Sequence, residues 1–362
     1  MRYTASMVLV ASLLFPFSVL SQQIVWTTEL DSCQTASSPR LTDLNGDGVL
    51  DVVVGDGIFN DIDDVGHVNA LDGVDGSVIW RKQVGFDKFN SALFIDLNGD
   101  LTDDIVISGR FPELLAIDGT DGSTIWAFDD QTIVPPTGWK HFYNQQLLPD
   151  LTNDQIPEIL ASNGGEQDSL PGSISRPPGF LVIIDGSDGT LVSYAEVPDS
   201  AEVYCAPVVY DVDNDNELEI VFGTGGETHP GSLWLTELSD LLNGNIDNAI
   251  NLAQNQSKGF LGSPALADMN ADGRLDIIGS SYDGYLTVID GTTYNEIWRF
   301  NMPGSETYVT PAIGYFNGDQ NLDLFMGFGI GEFPFYNMHR QFLLDGTNGD
   351  VLYQDSLGFI GM

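Results

Sequence analysis

The chain has 362 residues, 42% of them hydrophobic, which is enough apolar material for one large all-β domain or two ordinary domains. It carries 53 acidic and 12 basic residues, a formal charge of −41. Because phosphate and anionic lipid are bound by clustered lysine and arginine, this balance argues against nucleic acid and charged membrane surfaces as partners. The acid excess is compatible with bound divalent cations and with a solvated acidic surface.

The first 21 residues have the pattern of a secretory signal peptide. Arg2 supplies a short positive region, and the stretch from Met7 to Leu20 is almost wholly apolar. This run is shorter than the roughly 20 residues that a membrane-spanning helix needs, and no other stretch is apolar enough to span a bilayer. We therefore expect residues 1–21 to direct export and residues 22–362 to form a single domain, secreted or held at the cell surface.

An acidic nine-residue motif recurs six times along the chain. The first copy reads DLNGDGVLD and the fifth DMNADGRLD. Each copy follows a short apolar segment and precedes a run of β-forming residues that ends in glycine. Internal repeats with a period of roughly 50 residues are typical of propellers and solenoids. The copies begin at Asp43, Asp96, Asp150, Asp211, Asp268 and Tyr315.

A second repeated element lies between the acidic motifs. Residues 70–80 read ALDGVDGSVIW, in which an apolar strand, an Asp/Gly turn and another apolar strand predict a β-hairpin. We expect the aromatic residue that ends it to pack between neighbouring units. One period therefore holds about four strands, which predicts an all-β propeller of four-stranded antiparallel blades with six recognisable repeats. The equivalent aromatic residues are Trp80, Trp126, Trp298 and Tyr353.

Three insertions interrupt this pattern. The best helix-forming segment runs from Ser239 to Gln254, where the fourth repeat carries an insertion in place of the usual hairpin, and long Pro/Gly-rich excursions begin at Val134 and Gly164. Loops of that length are where a rigid scaffold usually carries its binding function. His141 lies in the first excursion with Lys140 and several aromatic residues. This segment either contacts a ligand such as a sugar or packs a loop onto its blade.

The first acidic motif has the composition of a metal-binding loop. Side-chain oxygens of Asp43, Asn45 and Asp47 can converge on one centre if the backbone curls tightly. Gly48 at position 6 allows the positive φ that this curl needs. The carbonyl oxygen of position 7 and the carboxylate of Asp51 at position 9 then complete an oxygen cage, which favours Ca²⁺ over Mg²⁺ or Zn²⁺. The alternative is a set of Asx-rich turns that favour tight bends without a metal.

The six loops differ in their ligands. The first and fifth have every expected feature, the second and fourth keep four oxygen-bearing side chains but lack the glycine, and the third has a hydroxyl at position 3. In the sixth, Tyr315 replaces the first carboxylate. We expect roughly five calcium sites, with the third loop weaker and the sixth degenerate. The candidate ligands are Asp43, Asn45, Asp47, Asp51, Asp96, Asn98, Asp100, Asp104, Asp150, Thr152, Asp154, Glu158, Asp211, Asp213, Asp215, Glu219, Asp268, Asn270, Asp272, Asp276, Asn317, Asp319 and Asp323.

These loops and their flanking strands resemble the FG-GAP/VCBS repeat family, and the A-x-D-x-x-x-G-x-x-x-W hairpin is similar to the tryptophan-docking repeat of quinoprotein (PQQ-like) propellers. The two resemblances cover nearly all of the chain from residue 24 onward, and they imply a propeller with integrin-α-like calcium loops. Quinoprotein dehydrogenases of this resemblance typically carry a vicinal disulfide and a basic residue on the cofactor. This chain has no adjacent cysteines and few basic residues, so we do not expect quinone chemistry.

The N-terminal strand that contains Trp26 aligns with the fourth strand of a blade, because Trp26 precedes its acidic motif by 17 residues and Trp80 precedes the next by 16. The last repeat already supplies its own fourth strand. Either six blades close with one extra strand, or the sequence is part of a seven- or eight-bladed ring. Cys33 and Cys205 lie in different repeats, and whether they form a disulfide stays open.

Taken alone, the sequence favours a non-enzymatic binding or adhesion module that recognises a protein or glycan at the cell surface. The alternatives are a carbohydrate-active enzyme such as a polysaccharide lyase, and a structural spacer within a larger exported protein. A lyase needs His, Tyr, Arg or Lys side chains gathered at one mouth of the channel, whereas a binding module needs only an exposed aromatic or acidic rim.

Overall fold

The computed structural model describes residues 24–30, 34–35, 37–57, 65–85, 88, 90–109, 113–128, 134–136, 138–165, 176–333 and 335–357. This part of the chain consists of six antiparallel β-sheets and one short helix. The helix is neither long nor apolar enough to cross a bilayer. The segment expected to be a signal peptide and Cys33 lie outside the described residues.

Each sheet is one blade, in which the strands follow one another in chain order, as the repeat predicts. Blade one contains β1 (Arg40–Thr42), β2 (Asp51–Gly57), β3 (Gly66–Leu71) and β4 (Val78–Val84). Blade two contains β5 (Leu93–Ile95), β6 (Asp104–Ser108), β7 (Leu114–Ile117) and β8 (Thr124–Ala127). Blade three contains β9 (His141–Leu147), β10 (Ile159–Gly164), β11 (Phe180–Ile184) and β12 (Leu191–Glu196).

The last three blades follow the same order, with two local changes. Blade four contains β13 (Val208–Tyr210), β14 (Glu219–Gly223), β15 (Gly231–Glu237), the helix α1 (Leu238–Leu242) and β16 (Ile250–Asn255). Blade five contains β17 (Ala265–Ala267), β18 (Asp276–Ser281), β19 (Tyr285–Ile289) and β20 (Glu296–Asn301). In blade six the first strand is split in two: β21 (Ser305–Glu306) and β22 (Ala312–Gly314) both pair with β23 (Asp323–Glu332), followed by β24 (Phe335–Leu344) and β25 (Val351–Leu357).

The third and fourth strands keep one register from blade to blade. Ala70 lies opposite Trp80 in blade one, and a bulge follows before Leu71. Blades two and five repeat this pairing with Trp126 and Trp298. The predicted hairpins are therefore confirmed as equivalent elements. In blade four the turn of this hairpin is replaced by α1, which lies against β12 of blade three, in agreement with the insertion expected there. The helix expected over residues 239–254 is only partly formed, because α1 ends at Leu242 and the end of that segment belongs to β16.

The tryptophan that ends each hairpin docks onto the next blade. The Trp80 indole N–H donates to the Gly119 carbonyl oxygen at 2.7 Å. The ring packs flat on Gly122, where an added Cβ would lie 3.0 Å from it, so this turn requires glycine. The same bond to a turn carbonyl oxygen is made by Trp26 to Gly73, Trp126 to Gly186 and Trp298 to Gly346. Trp26 thus makes the contact of a fourth-strand tryptophan, but the strand expected there is not formed, because residues 24–30 have no β-pairing in the structure.

Apolar cores lie between successive blades and hold the propeller together. Each of the first five blades shares one such core with the blade that follows it. Among the described residues, no core cluster joins blade six to blade one. Tyr353 occupies the position of Trp80 but is 53% exposed, whereas Trp80 is 8% exposed. The side of blade six that carries Tyr353 is therefore uncovered.

Cys205 belongs to the core between blades three and four. Its side chain is 1% exposed, and the thiol interacts with the backbone of Gly223. Burial raises the pKa of this thiol to about 12, so it stays protonated and unreactive at neutral pH.

Candidate metal loops

All six acidic motifs connect the first and second strands of a blade, so they lie at one end of the propeller. The Asp/Gly turns between third and fourth strands lie at the same end, because both connections leave the sheet on that side. A hydrogen bond joins the two elements in blade one, where Asn45 Nδ2 donates to Asp72 Oδ2 at 3.1 Å. We call this end the acidic face and define it by residues 43–51, 96–104, 150–158, 211–219, 268–276 and 315–323.

Backbone amides fold the side chains of each loop inward. In the first loop Asp43 accepts hydrogen bonds from the N–H groups of Gly46 at 2.8 Å and Gly48 at 2.9 Å. Asn45 Oδ1 accepts from the N–H of Asp47 at 3.0 Å. The ligand atoms predicted at positions 1, 3 and 5 therefore belong to one tight curl.

Position 6 adopts positive φ in every loop, including the four that lack glycine there. A left-handed backbone costs a non-glycine residue roughly 1–2 kcal/mol. The four loops without glycine therefore keep this conformation at a cost in conformational free energy. The absence of glycine at position 6 therefore does not prevent the curl. The φ values are 84° for Gly48, 73° for Leu101, 78° for Gln155, 76° for Asn216, 87° for Gly273 and 75° for Gln320.

The carboxylate at position 9 ties the loop to the rest of the blade. Asp51 is 0% exposed; one of its oxygens accepts from the N–H of Leu44 and the other from the N–H of Gly73, each at 2.9 Å. Asp104 and Asp276 make the same pair of bonds. Burial raises the pKa of both Asp104 and Asp276. The sequence predicted only metal binding for the side chain at position 9. It did not predict the hydrogen bonds by which this carboxylate joins the acidic loop to the Asp/Gly turn.

The fourth loop brings the most carboxylates together. Asp211, Asp213, Asp215 and Glu219 each place an oxygen within 4.8 Å of the others, and they form the one such group of His, Cys, Asp or Glu in the described chain. Glu219 is 0% exposed, and its Oε1 accepts no hydrogen bond from a donor group in the described part of the chain. Burial, then repulsion from Glu237 and the loop carboxylates, raises the pKa of Glu219 to about 7.

This donor set fits a bound calcium ion. A buried carboxylate oxygen without a partner is costly, and several carboxylates at close range repel one another. Glu237 adds a fifth carboxyl group beside Glu219. The neighbouring Arg274 donates to the backbone oxygen of Asp213 and not to a carboxylate. A divalent ion bound by oxygen atoms alone would complete the coordination of Glu219 and offset the repulsion.

The third and sixth loops differ from this arrangement. In the third, the N–H of Thr152 donates to Glu158 at 2.8 Å. In the sixth, Tyr315 is 69% exposed and contributes no carboxylate. The Asn317 amide donates to Asp319 at 2.9 Å, so that carboxylate already has a partner inside the loop.

The aromatic residues around His141 make two kinds of contact. Trp139 and Phe142 belong to the core between blades two and three, with ring centroids 5.5 Å from Phe128. The interpretation that these rings pack a loop onto its blade is thus confirmed for them. Tyr143 differs, because its ring lies 5.6 Å from that of Tyr204, on the linker to blade four.

Comparison with known proteins agrees with this architecture. The FG-GAP-like repeat family matches residues 268–326, which contain the fifth and sixth acidic loops. Protein FAM234B of Homo sapiens is 23% identical over 96% of this chain and 57% of its own length, and that of Gallus gallus is 21% identical over 97% and 57%. The chain thus spans little more than half the length of these relatives.

Solved structures show the same fold. Quinohemoprotein alcohol dehydrogenase ADHIIG from Pseudomonas putida superposes with a TM-score of 0.60 at 12% identity, covering 92% of this chain and 62% of that one. BamB from Moraxella catarrhalis gives 0.53 at 14% identity, with 92% and 77% covered. At such identities the likeness shows the fold alone. The chain is therefore a β-propeller that carries an FG-GAP-like repeat and shares its blade architecture with the quinoprotein-type propellers.

Proposed function

We propose that this chain is an exported, calcium-stabilised β-propeller that acts as a binding module at the cell surface or in the medium, without catalysis. The fourth loop carries the calcium part of the proposal, because it gathers four carboxylates and one buried oxygen of Glu219 accepts no hydrogen bond from a donor among the described residues. Equivalent loops in the other blades support further sites. The signal-like sequence of residues 1–21 supports export.

The chemistry of the opposite end favours binding over catalysis. Tyr204 and Tyr282 lie there, and burial raises the pKa of each far above its ordinary value, so neither is a ready base at neutral pH. The cations Arg176 and Lys258 each already contact a glutamate carboxylate. A lyase of acidic sugars needs a proton acceptor and a cation that is available to the substrate. The tyrosine-lined end suits recognition of a ligand better than proton abstraction.

Loss of one ligand carboxylate from a complete loop is expected to weaken one calcium site. Asp43→Asn deletes the carboxylate of position 1 and should weaken calcium binding at the first loop by about tenfold or more, since affinity follows the charge count of the ligands. Asp319→Asn is the matched control, because the sixth loop already lacks its first carboxylate. Isothermal titration should show a larger loss for the first variant. Equal losses would contradict the assignment of the first loop as a site and the sixth as degenerate.

A further inference from the structure

Blade four lacks the tryptophan that blades one, two and five dock onto the blade that follows. In those blades the tryptophan pairs with the residue just before the bulge of the third strand. In blade four this position holds Ala253, which pairs with Leu233 before the bulge at Trp234. Two residues further on, blade four has Asn255 where blade five has Phe300. Blade four therefore presents a small and a polar side chain where blade five presents two aromatic rings.

Blade five replaces the glycine that would receive such a tryptophan. In the Asp/Gly turn of blade two, Gly122 lies against the ring of Trp80, and its N–H donates to the carbonyl oxygen of Asp118. Tyr294 makes the same backbone bond to Asp290 in the turn of blade five, and its side chain packs into the core between blades four and five. The tyrosine thus takes up space near the acidic face that the missing tryptophan leaves.

Further from the acidic face, a cavity of about 270 Å³ opens between blades four and five. Its wall on blade five includes Thr287 and Arg299, which pair across β19 and β20. At the position of Thr287, blade two has Leu115, which belongs to an apolar core. Both walls are therefore polar at positions that are apolar in other blades. We call this space the inter-blade cavity and define it by Asn255, Ser257, Asp283, Tyr285, Thr287 and Arg299.

The two charged groups of the inter-blade cavity are already engaged by the protein. The Asp283 carboxylate accepts three side-chain hydrogen bonds, each at 2.6 Å. The Arg299 guanidinium donates to the Glu296 carboxylate from Nε at 2.9 Å and from Nη2 at 2.5 Å. A charged ligand would have to displace these contacts, so the cavity favours an uncharged one. The donors to Asp283 are Asn255 Nδ2, Ser257 Oγ and Ser281 Oγ.

The remaining groups of the cavity are amides and an aromatic ring. The side chains of Gln254 and Gln256 line it and are exposed to solvent, so their amides are accessible to a ligand. The Arg299 guanidinium lies over the ring of Tyr285, 5.8 Å from its centre, which restrains the ring at the cavity wall. Amides supply both donors and acceptors. This set matches a ligand with hydroxyl groups at its edge and C–H groups on its faces.

We propose that the inter-blade cavity binds one neutral sugar unit of a glycan. Sugar hydroxyls donate and accept hydrogen bonds, as the amides require, and the C–H face of a sugar packs on an aromatic ring. The volume of about 270 Å³ lies just below the roughly 300–1,000 Å³ of sites for drug-sized ligands, which suits a single ring. The formal charge of −41 disfavours an acidic sugar. This inference rests on the proposed function and names the ligand class of the binding module.

Saturation-transfer NMR on the calcium-loaded protein tests this site with the methyl glycosides of glucose, galactose, mannose, fucose and N-acetylglucosamine. At about 10 mM probe, a site with a dissociation constant of about 1 mM is mostly occupied, and at least one glycoside should receive saturation. Tyr285→Ala should weaken its binding by about tenfold, the scale of one aromatic contact. Tyr353→Ala, which removes a 53% exposed tyrosine from blade six, should leave the affinity unchanged.

Asn255→Phe places an aromatic ring at the position that Phe300 has in blade five, and by filling the cavity it should abolish glycoside binding. Its calcium binding should be unchanged, which separates this site from the acidic face. Absence of saturation transfer to all five glycosides would overturn the proposal, and so would tighter binding of methyl glucuronide than of methyl glucoside. Glycoside binding that Tyr285→Ala does not weaken would overturn this site and leave the proposed binding function intact.

Discussion

Removal of calcium is expected to lower the melting temperature of this protein by on the order of 10 °C. A ligand present at 100 times its dissociation constant stabilises the folded state by about 2.7 kcal/mol per site, and several loops act together. Each kcal/mol corresponds to about 2–4 °C for a domain of 150–250 residues, and somewhat less for a larger one. Without the ion, the carboxylates of the fourth loop also repel one another. Circular dichroism melts with excess calcium and with excess EGTA measure the difference.

The control for this experiment is magnesium at the same concentration. Magnesium demands near-ideal octahedral geometry and gives up its water reluctantly, so it should restore little of the lost stability. Restoration by calcium after EGTA treatment would show that the effect is reversible. A melting curve that does not change between calcium and EGTA would contradict a stabilising role for the acidic loops.

Truncation of a docked tryptophan is expected to have the second large effect. Trp80→Ala should reduce the free energy of unfolding by about 3–5 kcal/mol, because it removes a buried aromatic side chain and its hydrogen bond to Gly119. Tyr353→Ala is the matched control at the same position of blade six. Since Tyr353 is 53% exposed, that substitution should cost less than about 1 kcal/mol. Urea denaturation measures both.

A comparable loss of unfolding free energy in Trp80→Ala and Tyr353→Ala would contradict the assignment of Trp80 to a buried position and of Tyr353 to an exposed one. A small loss for both would contradict the role of the tryptophan in joining blades one and two. The m-value, which is the slope of the unfolding free energy against urea concentration, serves as a check. It should be the same in both variants if unfolding exposes the same surface area in each.

Much of the architecture could be predicted from the sequence because each signal occurs several times. The Asp/Gly hairpin with a terminal tryptophan predicted the third and fourth strands, and the register of Ala70 with Trp80 recurs in blades two and five. The N-terminal Trp26 could be aligned by spacing alone, and it makes the same bond to a turn carbonyl oxygen. Repeat proteins permit this, since each unit contacts its neighbours in the same way.

The geometry within the loops could be predicted less well. The spacing of the residues shows which side-chain oxygens belong to one loop. It does not show how far each side chain reaches or which backbone N–H groups it bonds. Asp51 at position 9 is engaged by two backbone N–H groups, whereas Glu219, one methylene longer, has one oxygen left without a partner. The fourth loop also differs from the other five in carrying a carboxylate at each of positions 1, 3, 5 and 9.

The contacts at the end opposite the acidic face could not be predicted from the sequence. Glu202 and Lys258 lie on linkers between blades and Glu306 lies on β21, and no short motif contains two of them. They become neighbours only through backbone hydrogen bonds between blades. A sequence pattern reports contacts within a repeat, whereas these neighbours are brought together by contacts between repeats.

Equilibrium dialysis with radioactive calcium tests the central claim most directly. At about 5 mM free calcium, above the dissociation constants of extracellular modules, the folded protein should bind roughly five ions per chain. The double variant Asp211→Asn, Asp215→Asn should bind one ion fewer while keeping the circular dichroism spectrum of a β-propeller. Fewer than one calcium ion per chain of folded protein under these conditions would contradict the assignment of the acidic face as a set of calcium sites.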